Sequence, residues 1–158
     1  MVVNSAGNSC EDLLFPYISA PADGFNVFSI GAVDRDGYRA SFSSNGPTYD
    51  GRFKPVIDAT GKATFVAYGS SDAGYGNGTS YSSPIIAGMT ACLMQAHPEM
   101  TVLEVQDALK ESGSQSAAPD NLLGWGIPDY FAASTTLTSI EISRQPLNTL
   151  FEVYPNPF

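Results

Sequence analysis

GYGNGTSYSSPIIAGMTACLMQA, residues 74–96, is the stretch whose reading decides the fold. Glycines at 74, 76 and 78 let the backbone turn sharply and deliver Ser80 to the opening turn of an apolar helix. Pro84 suits that turn, where a missing N–H costs nothing. The interior (Ile85, Ile86, Ala87, Met89, Ala91, Cys92, Leu93, Met94) is apolar nearly all round. The pattern predicts a helix buried on every side. His97-Pro98 ends it, because a residue before proline avoids the helical region. A helix N-terminus carries partial positive charge and unpaired N–H groups, a setting that favours developing negative charge. A nucleophilic serine needs that setting. A serine that merely caps a helix uses it too. Residue types alone leave both readings open.

Outward from this stretch, the element order is legible. Residues 1–5 and 27–33 (VFSIGAV) read as strands, the second buried, with a hairpin turn at Asp34-Arg35-Asp36-Gly37. Residues 39–42 read as a short returning strand, and 55–59 and 64–68 as two more strands. Glycine and asparagine then dominate up to Thr79. Thr101 and Glu104 form a capping box for a helix over 102–112, with Gly113 as its terminator. Val105, Ala108, Leu109 and Ser112 keep the spacing of one helical face. A short third helix opens at Pro128 and runs through Ala133. Strands interleaved with buried helices predict an α/β layered domain. After Ser134 the texture turns Thr/Ser-rich, with Ile140 and Ile142 alternating, so a domain boundary is expected within 134–148.

The 158 residues suffice for one domain with a real core. Seven basic against sixteen acidic residues give a net charge of −9, which argues against nucleic acid or an anionic membrane as partner. No apolar run reaches the ~18 residues of a membrane span. A low charged fraction with many small polar residues looks extracellular, yet no signal peptide opens the chain, so its beginning is expected to be missing. Cys92 reads as a buried reduced thiol, with a Cys10–Cys92 disulfide as the alternative. One histidine and two scattered cysteines make no zinc site.

Five segments, in order, carry a resemblance. Gly78-Thr79-Ser80-Tyr81-Ser82-Ser83-Pro84 resembles the serine motif of the subtilisin-like serine proteases, Gly-Thr-Ser followed by three small or apolar residues and Pro. Ser5-Ala6-Gly7-Asn8 is similar to the family's oxyanion segment, and residues 22–33 to the strand that follows it. Residues 42–55, with Phe42-Ser43-Ser44-Asn45-Gly46-Pro47 and Asp50-Gly51-Arg52-Phe53-Lys54-Pro55, resemble the family's "FSS.GP…DGR.KP" stretch. Gly124-Trp125-Gly126 resembles its closing "GWG". Thr60, in place of Pro, and Tyr81, in place of Met or another apolar residue, depart from the pattern.

The resemblance implies a subtilisin-like layered domain over residues 1–134, with a mostly parallel sheet and flanking helices, incomplete at its N-terminus. It implies a serine endopeptidase acting on protein or peptide substrates. Ser80 would be the nucleophile, Asn8 and the Ser80 N–H the oxyanion donors, and Ser5, Ala6 and Gly7 a wall of the pocket for the substrate residue before the scissile bond. No cofactor and no metal ligand set is expected in this chain, although structural calcium, common in the family, is an expectation for the full-length protein.

The base is the difficulty. The family's order is Asp, His, Ser, whereas the single histidine, His97, follows Ser80 by seventeen residues. On a continuous helix that is about 25 Å, far beyond proton-transfer reach. His97 is therefore expected to be structural, at the helix end. The chain is expected to be the later part of a longer protease, inactive as given. A pseudoprotease or binding module of the same fold is the alternative reading. Residues 135–158 are expected to be a linker and the start of a second domain. Phe151-Glu152-Val153-Tyr154-Pro155-Asn156-Pro157-Phe158 resembles the opening of the C-terminal sorting domain of the type IX secretion route, which implies a partner in that machinery and a secreted or cell-surface location.

Overall fold

The computed structural model describes residues 1–144. Three strands, β1 (Val2–Ser5), β2 (Val27–Val33) and β3 (Ile57–Thr60), pair in parallel in the order β1-β2-β3. Val2 is opposite Val27 and Ile30 opposite Ile57. Two further strands, β4 (Thr64–Tyr68) and β5 (Asp72–Gly76), make a separate antiparallel hairpin. Helices α1 (Thr79–Ala96), α2 (Val102–Glu111) and α3 (Tyr130–Arg144) follow. This is the α/β arrangement expected, with a mostly parallel sheet. Because all three parallel strands run the same way, β1, β2 and β3 finish at one edge, and the residues just past them converge there.

The core lies between the sheet and the helices. Phe28, Ile30 and Ile57 from the sheet meet Ile86 and Leu93 of α1, Val105 and Leu109 of α2, and Ala133 and Leu137 of α3. The α2 capping box forms as expected: Glu104 N–H donates to Thr101 Oγ1, and Thr101 N–H donates to Glu104 Oε2 at 2.9 Å. Trp125 N–H donates to Val56 O and Asp58 N–H to Gly126 O, so the Gly-Trp-Gly segment runs along β3. Gly124 must be glycine there: its φ is +57°, and a Cβ would sit 2.2 Å from Val56 O.

Five expectations need correction. Helix α1 is not buried all round: only Thr79, Ser82, Ile86, Thr90 and Leu93 are buried, whereas Ile85 and Met89 are 41% and 44% exposed. The described residues cover one face of this helix and no more. Cys92, on the uncovered side, is a free thiol as expected but an exposed one, and Cys10 is free as well, so the burial of Cys92 and the alternative disulfide are both overturned. The returning strand at 39–42 reduces to a single bridge, Val33 to Arg39. Gly113 does not terminate α2 in a left-handed turn. The cap is Ser112, in right-handed helical geometry, and Gly113 is instead required because a Cβ would lie 2.1 Å from Trp125 O. The third helix is not the short one expected over 128–133: it opens at Tyr130 and runs fifteen residues to Arg144. It passes straight through Ser134, and Leu137 is fully buried in the main core. Burial of Ala133 and Leu137 at i, i+4 spacing carries the helix through the Thr/Ser-rich stretch.

Asp58 is the anomaly of the core. It is completely buried on β3, and neither carboxyl oxygen has a hydrogen-bond partner among the described residues. Gly31, its neighbour on β2, leaves room for it; a Cβ there would lie 2.1 Å from Asp58 Oδ1. Burial pushes the carboxyl well above its ordinary pKa, Arg39 opposes that, and Asp120 adds to it. A carboxyl whose folded pKa is raised contributes stability fully below its unfolded value, about 3.9, and loses it as pH rises toward the folded value. We therefore expect the melting temperature of the parent, relative to Asp58→Asn, to fall as pH is raised from about 4 to 8. Paired thermal unfolding curves across that range measure it.

Candidate active site

Ser80 is the second residue of α1 and is exposed. It does not cap the helix. The N-cap is Gly78, with φ 153° and ψ 148°, a conformation that side chains rarely adopt, and no side chain bonds back to the first turn as a cap. Gly78 N–H donates to Gly61 O at 2.8 Å, which anchors the helix start to the end of β3. A Cβ on Gly61 would lie 2.2 Å from Ser82 Oγ and 2.8 Å from Gly78 O, so the approach needs glycine. An α-helix leaves its first four N–H groups outside its own ladder. Here Thr79 N–H goes to Asn8 Oδ1 at 2.9 Å and Tyr81 N–H to Gly78 O at 3.0 Å. No described group takes the Ser80 N–H.

The turn after β1 brings in Asn8 from 72 residues away. Its Oδ1 accepts from both the Thr79 N–H and the Thr79 hydroxyl, the latter at 3.1 Å. The same hydroxyl accepts from Gly7 N–H at 3.2 Å. These bonds run one way, Gly7 N–H to Thr79 Oγ1–H to Asn8 Oδ1. They fix which end of the Asn8 amide faces the protein, because an oxygen is needed where two donors converge. The Nδ2 end is left facing Gly78, 3.5 Å from where a Cβ would be. Ser44, buried, clamps the turn from the other side. Its N–H donates to Gly7 O at 2.9 Å, and its Oγ accepts from Ser9 N–H at 2.9 Å. Gly7 itself has φ 111°.

The residues expected to form the pocket wall lead into this turn from β1. Ser5 is the last residue of β1 and half-buried, Ala6 is buried with its N–H on Ile30 O, and Gly7 follows. Thus the structure brings Gly7 and Asn8 against Thr79 and so beside Ser80, with Ser5 and Ala6 leading into that turn along the chain. Sequence reasoning found β4 but missed Thr79 as the hub, Ser44 as the clamp, and β5 with its pairing to β4. The alternation in TFVAY, followed after three intervening residues by the Tyr-bearing DAGYG, was the available signal for the hairpin.

His97 is elsewhere, at the far end of α1. It is buried, with Nδ1 3.1 Å from Glu141 Oε1 and Nε2 2.8 Å from Ser134 Oγ. The connectivity is that of a serine–histidine–acid relay. Ser134, however, sits in the body of α3, where its own N–H belongs to the helical ladder, so no oxyanion donor accompanies it. The trio ties the end of α1 to α3, the structural role expected of His97.

A sequence model of the subtilase family matches residues 1–126. The chain belongs to the subtilase family. Subtilisin BL of Lederbergia lenta is 33% identical over 134 residues, covering 85% of this chain and 46% of that protein. Serine protease AprX of Bacillus subtilis (strain 168) is 32% identical over 148 residues, covering 80% and 33%. Among solved structures, the self-cleaved protease domain of PatA superposes with a TM-score of 0.68 at 27% identity, covering 85% of this chain and 49% of that one. The chain therefore spans about half the length, or less, of these relatives.

If the Thr79 hydroxyl supports the Asn8 turn, then Thr79→Val strands the Gly7 N–H and leaves Asn8 Oδ1 with the Thr79 N–H as its one remaining donor. We expect a loss of about 1–3 kcal/mol in denaturant unfolding, recovered largely by Thr79→Ser, which restores the hydroxyl.

Proposed function

We propose that this chain is part of a secreted serine endopeptidase of the subtilase family, in which Ser80 forms the acyl-enzyme. The observation that carries the reading is the Asn8 amide, clamped by its oxygen so that Nδ2 is free beside the start of α1. A helix cap needs no such partner. An oxyanion needs two donors that are already aimed when charge develops. In this reading Ser80 Oγ attacks the peptide carbonyl, and the oxyanion receives hydrogen bonds from Asn8 Nδ2 and the Ser80 N–H. Collapse expels the amine of the leaving peptide, and water then releases the acyl group. Ser5, Ala6 and Gly7 line the pocket for the residue before the scissile bond.

The proton taken from Ser80 goes to a base outside these 158 residues. The only histidine of the sequence is committed to Glu141 and Ser134 at the other end of an 18-residue helix, about 25 Å away. The half-length match to the relatives is consistent with an aspartate and a histidine supplied by further chain. By itself, then, the chain should not hydrolyse peptides.

Residues 145–158, including the sequence that resembles a type IX sorting domain, lie outside the described residues. We propose that export follows that route. No helix among the described residues is long and apolar enough to cross a membrane.

In the full-length gene product, a fluorophosphonate probe should label Ser80, and Ser80→Ala should abolish labelling. Asn8→Ala should lower turnover by ~10²–10³, the scale found when one oxyanion donor is removed from a subtilisin. An unlabelled Ser80 in that product would return the fold to a binding role. Deleting residues 151–158 and whatever follows them should retain the protein inside the cell, as read by fractionation; unchanged export would end the sorting proposal.

A further inference from the structure

At the opposite edge of the sheet, where β2 begins with Val27, a cavity of about 420 Å³ gathers charges and rings. Three of the seven basic residues of a chain with net charge −9 line it: Arg52, Lys54 and Lys110. Phe25, Phe53 and Trp125 line it as well. The Arg52 guanidinium lies 3.9 Å over the Phe25 ring and Lys110 Nζ 5.6 Å over the Trp125 ring. Phe53 meets Trp125 edge to face at 6.3 Å. β2 is seven residues long, so at ~3.3 Å per residue this cavity is about 20 Å from the edge that carries Ser80. A volume of this order suits a small ligand.

Two of the cations have donors to spare. Lys54 is 3% exposed, and its Nζ donates to Gly24 O at 3.3 Å and to Val27 O. An ammonium carries three N–H groups, so one has no acceptor among the described residues. Arg52 spends Nε on the Asp50 carboxylate and Nη2 on Asp23 O, but its Nη1 is buried and has no partner among the described residues. Buried donors without acceptors are few in folded proteins, and each calls for an explanation. Negative charge is also short. Asp50 pairs with Arg52 and Asp107 with Lys110, whereas no described carboxylate forms an ion pair with Lys54. Burial first and Arg52 second pull the Lys54 ammonium down to about 8, with Asp23 opposing them. An ionised carboxylate brings two acceptor oxygens and one negative charge to such a pair of open donors.

We propose that this cavity binds a small aromatic carboxylate, whose oxygens accept from Lys54 Nζ and Arg52 Nη1 and whose ring lies against Trp125 and Phe53. Phe25 and Phe53 are 78% and 45% exposed, so a bound ring takes apolar surface out of water and extends the aromatic cluster. A free aromatic acid and the C-terminal residue of a polypeptide present the same chemistry, a carboxylate a few bonds from a ring. The site is separate from Ser80 and does not rest on the protease reading.

Isothermal titration of the full-length gene product with 3-phenylpropionate, 3-phenylpropionamide and propionate tests it. The aromatic acid should bind about tenfold more tightly than its amide, the scale of one hydrogen bond to a charged group. It should bind at least about fivefold more tightly than propionate, the scale of one aromatic pair. Arg52→Gln and Lys54→Gln should each remove most of the preference for acid over amide. Phe53→Ala, at a half-exposed position, should weaken 3-phenylpropionate and leave propionate unchanged, so the test survives a Lys54 variant that fails to fold. Acetyl-Gly-Gly-Phe separates the two sources: tighter binding than 3-phenylpropionate assigns a polypeptide C-terminus, and weaker binding a free acid. Equal affinity for acid and amide, or an acid preference untouched by Arg52→Gln, would overturn the site.

Discussion

The arrangement at this site depends on one buried hydroxyl. Thr79 has no exposed surface, and its Oγ1 accepts from Gly7 N–H while donating to Asn8 Oδ1. Those two bonds tie the end of the first strand to the start of the first helix, across more than seventy residues of intervening chain. Together with the Thr79 N–H, which also donates to Asn8 Oδ1, they set which end of the Asn8 amide faces the space beside Ser80. With them, the oxygen is spent inside the protein and the nitrogen faces outward. Orientation of a donor in advance of the reaction is what makes it useful for an oxyanion, since no reorganisation is needed when charge appears.

The sheet makes that bond possible. Three parallel strands finish at one edge, so the turn after β1, the end of β3 and the glycine run before α1 meet in one place. Glycines then allow backbones to approach where side chains would collide. Gly61 meets Gly78 and Ser82, Gly7 meets Ser44, and Gly76 meets Tyr81. The same device serves the edge that carries Ser80 and the aromatic hairpin beside it. At the other end of α1, His97 is held by Ser134 and Glu141, so a helix fixed at both ends presents its first turn rigidly.

Much of this was legible from residues. The helix start, the α2 capping box, the buried second strand and the Gly-Trp-Gly segment were all readable, because capping, periodicity and glycine placement are local effects. The failures were non-local. Ile85, Met89 and Cys92 read as core from their apolar character, but burial depends on what packs against them, and the described residues cover one face only. Helix α3 was cut short because its Thr/Ser-rich sequence has weak propensity; Leu137, buried against the core, outweighs that. Gly113 was read as a helix terminator, whereas its constraint is the carbonyl of Trp125.

What the sequence determined by itself, then, was identity and order: a Gly-Thr-Ser run before a helix, preceded by a Ser-Ala-Gly-Asn turn, in the order of the subtilase family. It could also exclude His97 as a base, since spacing along a helix is fixed by its rise. Only the tertiary structure decided that Ser80 is not a cap, that Asn8 turns its nitrogen outward, and that Arg52 and Lys110 share one cavity with Phe25 and Trp125. Each of these is a hydrogen bond or a contact between residues distant in sequence or a choice between two ends of a side chain, and no local pattern encodes either.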